Sequence, residues 1–474
     1  MSAVGAATLA EMEGVGAADR AADATGHRAL AAQVWRLAWP AITHMLLLTL
    51  VFLVGRVMVG RYSTSSLAAM QICGSLTWAV HSVFTASSAG TLAVVARCVG
   101  AGDRAGAAAA ARASVVFALA VGLVVIVPLL IADGALLALL FPNAGPEVIA
   151  QANGYLQIVL PALPLGFVEA VAAASLQGAG DTKTPLVAAT IGNLVNVALS
   201  ATLIFGRFGL PELGLRGAAI GAAATMAIEG AFLVAVLLSR SSPLPFRRAP
   251  GAPPRSPRGL SALARVLRVA GPAFVERVVY QAGYLGFVAM IGLLGAHAMA
   301  ANQGLISVEA ICFLSADGFG IAAGALVAQK LGAGRPAEAS RAVAVAALMA
   351  VLVLSSFGLV FAIAPRALMS AFSSDPAIVA LGSRALYVAA AAQPFMAFAM
   401  VMSMALRGAG ATRTVLAVTL ISSFAVRLGA TWFFAVHLGH GLIGVWMGST
   451  ADWICRSALL GVAWARGRWR GVAV

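Results

Sequence analysis

Long stretches without any charged side chain are the feature that most restricts how this chain folds. Residues 113–132 and 385–406 are two such stretches, and one helix needs about 20 apolar residues to cross the hydrocarbon core of a bilayer. Of the 474 residues, 61% are hydrophobic and only 10% are charged, whereas a soluble protein of this size needs far more charge on its surface. The composition therefore predicts an integral membrane protein.

The same count along the whole chain predicts twelve transmembrane helices and an all-α fold. The first six lie near residues 37–60, 66–97, 112–132, 148–176, 184–206 and 214–238. The second six lie near residues 263–293, 298–329, 341–364, 378–405, 413–436 and 442–464.

A basic, proline-rich segment over residues 239–261 separates these two sets of helices. Its composition is typical of a flexible connector between two domains. We therefore expect a disordered cytoplasmic tail over 1–34, an N-terminal six-helix bundle over 35–238 and the cytoplasmic linker over 239–261. A C-terminal bundle over 262–465 and a short cytoplasmic tail over 466–474 complete the prediction.

The distribution of basic residues predicts the orientation. With both termini inside, the cytoplasmic segments hold about four times as many Lys and Arg residues as the external ones, which is the bias seen in membrane proteins. The net charge of +14 therefore reflects cytoplasmic loops, and we expect no nucleic-acid partner. The predicted location is the cell inner membrane, crossed many times.

The two halves repeat each other. The matching pairs, at offsets of 230 to 232 residues, are Pro40 and Pro272, Gly60 and Gly292, 99–102 and 331–334, and 176–180 and 406–410. Because each half has an even number of helices, both halves enter the membrane in the same direction, and their symmetry axis runs along the membrane normal. Two bundles on a flexible connector can rock about a central cavity.

Several chemistries are not expected. The four cysteines are scattered without a CxxC pair, so neither a metal site nor a disulfide is predicted. No HExxH motif, no paired intramembrane Asp signature and no GxxxxGK[ST] loop occurs in the sequence, which argues against an intramembrane enzyme and against a nucleotide-driven pump.

Three segments, in the same order, carry a resemblance to a known family. They are 39–40 with 58–61 and 67–69 around the first helix, 177–185 after the fourth helix, and 327–335 after the eighth. Over residues 35–465 the chain resembles the multidrug and toxic compound extrusion (MATE) transporters. The resemblance implies a central cavity and efflux of small amphipathic, often cationic compounds, coupled to protons or sodium ions. We expect membrane lipids as partners, no cofactor and a monomer.

Two acids of the family pattern are missing. Arg56 stands where the family usually carries an Asp four residues before a helix-one glycine. Proton-coupled relatives tend to have an Asp four residues after the helix-five Asn, and here Ser200 follows Asn196 at that spacing. An arginine cannot exchange protons at physiological pH. We therefore considered Arg56 as a built-in cation paired with Glu229 or Glu169, or as a side chain that reaches the outer headgroups.

A charged side chain at the bilayer centre costs about 2.5–3.5 kcal/mol, so an acid retained there indicates a function. The acids considered for this function lie in the second half, where we therefore expect the coupling site. Glu276 lies on helix seven with Tyr280 one turn later, where the ring can stack on a cationic ligand. Glu309 and Asp317, eight residues apart, can face one lumen. The predicted substrate or ion-coupling residues are thus Glu276, Glu309, Asp317, Tyr280, Asn196 and Arg56. The alternative for Glu276 is a structural pair with an arginine.

Other polar residues are open to two interpretations. Asp452 and Arg456 have the i, i+4 order that favours a structural ion pair. His44 and His81 suit either packing or proton relay. Arg427 was a possible partner of Glu229. Together with Arg56, it also left open a lipid-linked precursor flippase as the alternative to a secondary active exporter.

Overall fold

The structure is a computed structural model that describes residues 3–85, 88–141, 145–239, 242–244 and 258–472. Within these ranges, side chains are described from Arg28 onward, except at residues 64, 83, 85, 131–136, 138–140, 258, 259 and 296. Most of the predicted linker over 239–261 lies outside the described residues. Within them the secondary structure is helical, without β-strands. The first half contains α1 (Ala3–Tyr62), α2 (Thr64–Thr85), α3 (Ser88–Gly100), α4 (Arg104–Leu140), α5 (Pro146–Val159), α6 (Leu163–Gly178), α7 (Lys183–Phe205) and α8 (Leu215–Leu238).

The second half has a matching order of helices. It contains α9 (Arg258–Gly292), α10 (Ala296–Gly332), α11 (Pro336–Ile363), α12 (Pro365–Ser370), α13 (Pro376–Gly408), α14 (Thr412–Leu420), α15 (Gly429–Thr431) and α16 (Gly441–Ala465). The helix of α14 continues through α15 by way of wider turns over Ile421–Leu428 and Trp432–His437.

Twelve membrane crossings follow from this order. Nine of the described helical segments are long and apolar enough to span a bilayer on their own. The other three crossings are α2 with α3, α9 and α16, which carry more polar side chains. Helices α9 and α16 contain the charged residues that form buried ion pairs with neighbouring helices. The all-α fold predicted from the sequence is confirmed.

Two details differ from the expectation. Helix α1 begins at Ala3, within the segment predicted as a disordered tail, because an alanine-rich sequence has a high intrinsic helix propensity. The fourth crossing is interrupted by a tight turn over Leu160–Ala162. Pro161 and Pro164 lie at this turn, where each removes a backbone donor from the helix.

The two halves meet along a seam between α3 and α10. A Cβ atom on Gly100 would overlap the backbone of Gln329, and a Cβ atom on Gly332 would overlap the carbonyl group of Arg97. These two contacts exchange under the offset of 232 residues, so they are related by the symmetry of the repeat. Only glycine allows two helix backbones to approach so closely, and the parallel repeat therefore forms a pseudo-twofold contact here.

Candidate functional site

A cavity of about 500 Å³ lies between the two halves. Its walls come from α1, α2, α3, α5, α6, α7 and α8 of the first half and from α9, α10, α13 and α16 of the second. At one end the cavity stops at an apolar cluster that joins both halves, formed by Ala41, Leu92, Ala174, Ile321 and Ala325. The cluster lies on the same side as the α3–α10 seam, so the halves are closed together at this end.

Two acids, Glu169 on α6 and Glu229 on α8, line the first-half wall. Glu229 is 5% exposed and lies beside Gly192, where an added Cβ would come within 2.6 Å of its Cγ. The two carboxylates are electrostatic neighbours. Among the described residues, one Glu229 oxygen has no hydrogen-bond partner. All described arginines that line the cavity come from the second half, so these acids have no cation beside them in their own wall.

Amide and hydroxyl groups of α7 and α8 surround this acid pair. Asn193, Asn196 and Ser200 line the cavity, and the Ser200 hydroxyl lies 3.2 Å from the Asn196 side-chain oxygen. The Thr225 hydroxyl donates to backbone carbonyls of Gly192 and Gly221, at 3.2 and 2.9 Å. The buried side-chain nitrogen of Asn193 has no partner among the described residues. The pocket thus offers oxygen and nitrogen atoms that remain free to bind a ligand.

His44 and His81 also line the cavity. His44 is 5% exposed, and His81 stacks between Trp78 and Phe167 with ring centroids 6.3 Å away on each side. In each ring one nitrogen is buried without a hydrogen-bond partner among the described residues. The imidazoles are therefore packed in place and still face the cavity.

In the second half, Glu276 is held by Arg407. The guanidinium donates to the carboxylate in three contacts of 2.7, 2.8 and 3.1 Å, and the Thr419 hydroxyl donates at 3.0 Å. This is the structural alternative that the sequence left open for Glu276. Arg407 was expected in a cytoplasmic loop, but it belongs to the last turn of α13 and its side chain reaches the cavity. Neighbouring Arg277 instead donates to Ser82, across the two halves, at 2.7 Å.

A second buried ion cluster centres on Asp452. The predicted pair with Arg456 is confirmed at 3.2 Å, and Arg427 adds a contact of 2.9 Å. Arg427, which the sequence left open as a partner of Glu229, is therefore paired with Asp452 instead. The ring of Tyr280 lies 5.7 to 5.9 Å from Arg277, Arg427 and Arg456. Tyr280 lines the cavity as expected, but cations of the protein itself already surround its ring.

The sequence suggested that Glu309 and Asp317 face the same cavity, but only Asp317 does. Asp317 lines the cavity and is an electrostatic neighbour of Arg277 and Arg407. Glu309, eight residues earlier, does not line the cavity, and one of its oxygens is buried without a partner among the described residues. The length of α10 separates these two carboxylates in depth.

The position of Arg56 contradicts its role as a built-in cation. The residue is exposed, is not part of the cavity wall and takes part in no ion pair within the described part of the chain. The preceding Gly55 lines the cavity, and successive helical residues point about 100° apart. The alternative from the sequence fits better, because a long guanidinium side chain on the outer face can extend to the headgroups.

The MatE family model matches residues 40–202 and 272–433, which is one segment in each half. The chain belongs to the MatE family. Among curated MATE relatives, the probable multidrug resistance protein NorM of Thermotoga maritima is 30% identical over 441 residues, covering 93% of each chain. The protein of the same name from Pseudomonas putida is 28% identical over 454 residues, covering 92% of this chain and 95% of the relative.

Solved MATE structures share the fold. An outward-facing multidrug resistance MATE family transporter of the MOP superfamily matches with a TM-score of 0.85 at 20% identity, covering 94% of this chain and 97% of the other. A MOP superfamily transporter from Pyrococcus furiosus matches with a TM-score of 0.84 at 20% identity, covering 93% and 96%. The predicted family and its twelve helices in two bundles are confirmed. The MatE protein is thus a multi-pass membrane transporter.

Glu169 and Glu229 were not among the predicted coupling residues, but both line the cavity. Neither residue has a basic side chain three or four positions away on its helix. The same is true of Glu276, which has Arg407 as its partner, so the sequence alone does not distinguish these acids. An intramembrane acid without a basic residue nearby on its helix indicates either a partner on another helix or a function.

Proposed function

We propose that this MATE protein is a secondary active exporter that works by alternating access and couples export to a cation gradient at Glu169 and Glu229. The observation that carries the proposal is this acid pair in the first-half wall of a cavity shared by both halves. Two neighbouring carboxylates repel each other when both are charged, and binding a proton or another cation relieves the repulsion. In the second half, Glu276 and Asp452 already have arginine partners. Asp317 has Arg277 and Arg407 as electrostatic neighbours, and Glu309 does not line the cavity.

The proposed orientation places both termini in the cytoplasm of a bacterial cell, with the protein in the inner membrane. The excess of basic residues in the corresponding loops supports this orientation. The α3–α10 seam and the apolar cluster then close the cytoplasmic end, and the cavity faces outward. This is the state in which substrate leaves and the coupling cation enters.

We propose the proton as the coupling ion. Glu169 and Glu229 line the cavity, and buried carboxylates are side chains that exchange protons near neutral pH. Once one acid is protonated, the first-half wall loses negative charge and holds a cationic substrate less well. Proton entry would thereby favour substrate release.

The proposed substrates are amphipathic cations. The acid pair supplies negative charge on one wall, and Trp78, Tyr155 and Phe313 add aromatic surface. Aromatic faces attract cations, more strongly when water is excluded. The names of the relatives, multidrug resistance proteins, agree with a cavity that accepts varied compounds.

A precursor flippase is the second candidate, because the second-half wall carries Arg277, Arg407 and Arg456. These guanidiniums would suit an anionic diphosphate. However, Arg407 and Arg456 are each paired with a buried acid. The cavity therefore fits a cationic substrate better.

The test is transport in proteoliposomes under separately imposed proton and sodium gradients, with cationic and anionic dyes. We expect a proton gradient to drive the cationic dye. Glu169→Gln and Glu229→Gln should each reduce this gradient-driven transport at least about tenfold, since a single proton-transfer group is typically worth that much or more. Glu212→Gln, at an exposed loop position, is the matched control and should transport normally.

Several outcomes would contradict the proposal. Full gradient-driven transport by both acid variants would remove the pair from coupling. Transport driven by a sodium gradient and not by a proton gradient would make sodium the coupling ion. Movement of only the anionic dye would favour the flippase.

A further inference from the structure

A second cavity, of about 390 Å³, lies in the second half on the side of the α3–α10 seam. It is bordered by α9, by the junction of α13 and α14, and by the segment after α16. Four arginines line it, namely Arg268, Arg413, Arg466 and Arg468. The described lining contains no acid, and none of these four arginines takes part in an ion pair among the described residues. The cavity therefore concentrates uncompensated positive charge.

The repeat provides a comparison within the same molecule. In the first half, the Asp181 carboxylate accepts hydrogen bonds from the backbone of Lys183 and Thr184, at 3.1 and 3.0 Å, at the start of α7. At the offset of 230 residues the corresponding position is Ala411, which caps α14 without a side-chain hydrogen bond. The second half thus lacks the negative group that the first half carries at this place.

The start of α14 faces the arginine-lined cavity. Residues 410–414 form part of the cavity wall. Thr412, which is 1% exposed, lines the cavity, and its hydroxyl has no hydrogen bond within the part of the chain that the structure describes. Unpaired N–H groups and the positive end of the helix dipole favour an anion at such a position.

The remaining wall is apolar and aromatic. Val269, Leu406 and Val472 line the cavity beside the arginines. Trp469 is buried and stacks on Trp464 with ring centroids 3.9 Å apart. Tryptophan is enriched where membrane proteins meet the headgroups, and basic pockets between transmembrane helices bind phosphate-bearing headgroups.

We propose that this cavity, which we call the arginine pocket, binds a phosphate group, and that its source is the headgroup of an anionic lipid. The phosphate would take the place that the Asp181 carboxylate has in the first half. Guanidiniums hold phosphate oxygens by charge-assisted hydrogen bonds, and the apolar wall accommodates the adjoining glycerol. Free inorganic phosphate is the alternative source of the same chemistry.

The experiment measures the thermal unfolding of the full chain in neutral detergent after delipidation. The added probes are short-chain phosphatidylglycerol, short-chain phosphatidylcholine and inorganic phosphate. We expect phosphatidylglycerol to raise Tm with saturation, and the other two to have little effect at the same concentration. An equal effect of inorganic phosphate would assign the pocket to a soluble anion and overturn the lipid source. No saturable effect of phosphatidylglycerol or phosphate would overturn the pocket itself.

Two variants locate the effect. Arg413→Gln should raise the half-saturating lipid concentration about tenfold, because it removes one charge-assisted contact. Ala411→Asp should supply an internal carboxylate, raise Tm without lipid and abolish the response to lipid. Arg470→Gln is the control, since Arg470 is exposed on the same terminal segment but does not line the pocket. A response lost equally in Arg470→Gln, or unchanged in both pocket variants, would refute the assignment.

Discussion

The pairing of Glu276 with Arg407 yields a prediction that differs from the one the sequence alone suggested. Glu276→Gln should destabilise the protein, because it leaves the Arg407 guanidinium buried without its counter-charge. Removing one partner of a buried ion pair costs about 3–5 kcal/mol. The Arg407 side chain is 22% exposed and reaches the cavity, so water offsets part of the loss, and about 3 kcal/mol is expected.

Thermal unfolding of the purified protein measures this cost. For a unit of about 200 residues, 3 kcal/mol corresponds to a fall in Tm of about 6 to 12 °C. The double variant Glu276→Gln with Arg407→Gln should recover about two-thirds of the loss, since no unpaired charge remains. Glu338→Gln breaks a partly exposed pair with Lys330 and should cost less than about 1 kcal/mol.

The double-mutant cycle can refute this reasoning directly. If Glu276→Gln unfolds within about 1 °C of the wild type, the pair does not hold α9 to α13. If the double variant is no more stable than the single one, the unpaired charge is not the cause. A stable Glu276→Gln protein without gradient-driven transport would return Glu276 to the coupling mechanism.

Three further predictions follow from single contacts. Gly332→Val should disfavour the state closed at the α3–α10 seam by about 1–3 kcal/mol, because the new side chain overlaps the Arg97 carbonyl. Spin labels on the first turns of α4 and α11 should then move apart, and an unchanged distance between them would contradict the seam. Asp452→Asn should cost about 3–5 kcal/mol in thermal unfolding, because two buried guanidiniums lose their shared carboxylate, and a loss below about 1 kcal/mol would argue against the cluster. Arg56→Gln should transport as the wild type does, and a tenfold loss would restore a role for Arg56.

Much of the fold could be predicted because each transmembrane helix is specified by its own residues. A stretch such as 113–132 must form a helix in a bilayer, since its backbone groups have no water to bond with. The repeat, read from pairs such as Gly100 and Gly332, placed six helices in each half. The family resemblance followed from three segments whose order along the chain spans both halves. The orientation and the coupling residues stay predictions.

The partners of the charged residues could not be predicted in the same way. Asp452 and Arg456 were paired correctly, because they are one turn apart on one helix and their distance is set locally. Glu276 and Arg407 are separated by 131 positions, and only the packing of α9 against its neighbours brings them into contact. The same packing left Glu169 and Glu229 without an arginine in their wall, which moved the proposed coupling site to the other half.

The sequence by itself determined the membrane environment, the twelve helices, the duplicated halves and the family, because these depend on composition, length and periodicity along the chain. Only the tertiary structure decided which side chains face the cavity. A helical residue changes its surroundings completely over a rotation of 100°, as the neighbours Gly55 and Arg56 show. Electrostatic energy depends on distance between charges in space, so the chemistry of the site followed from how the helices pack against one another.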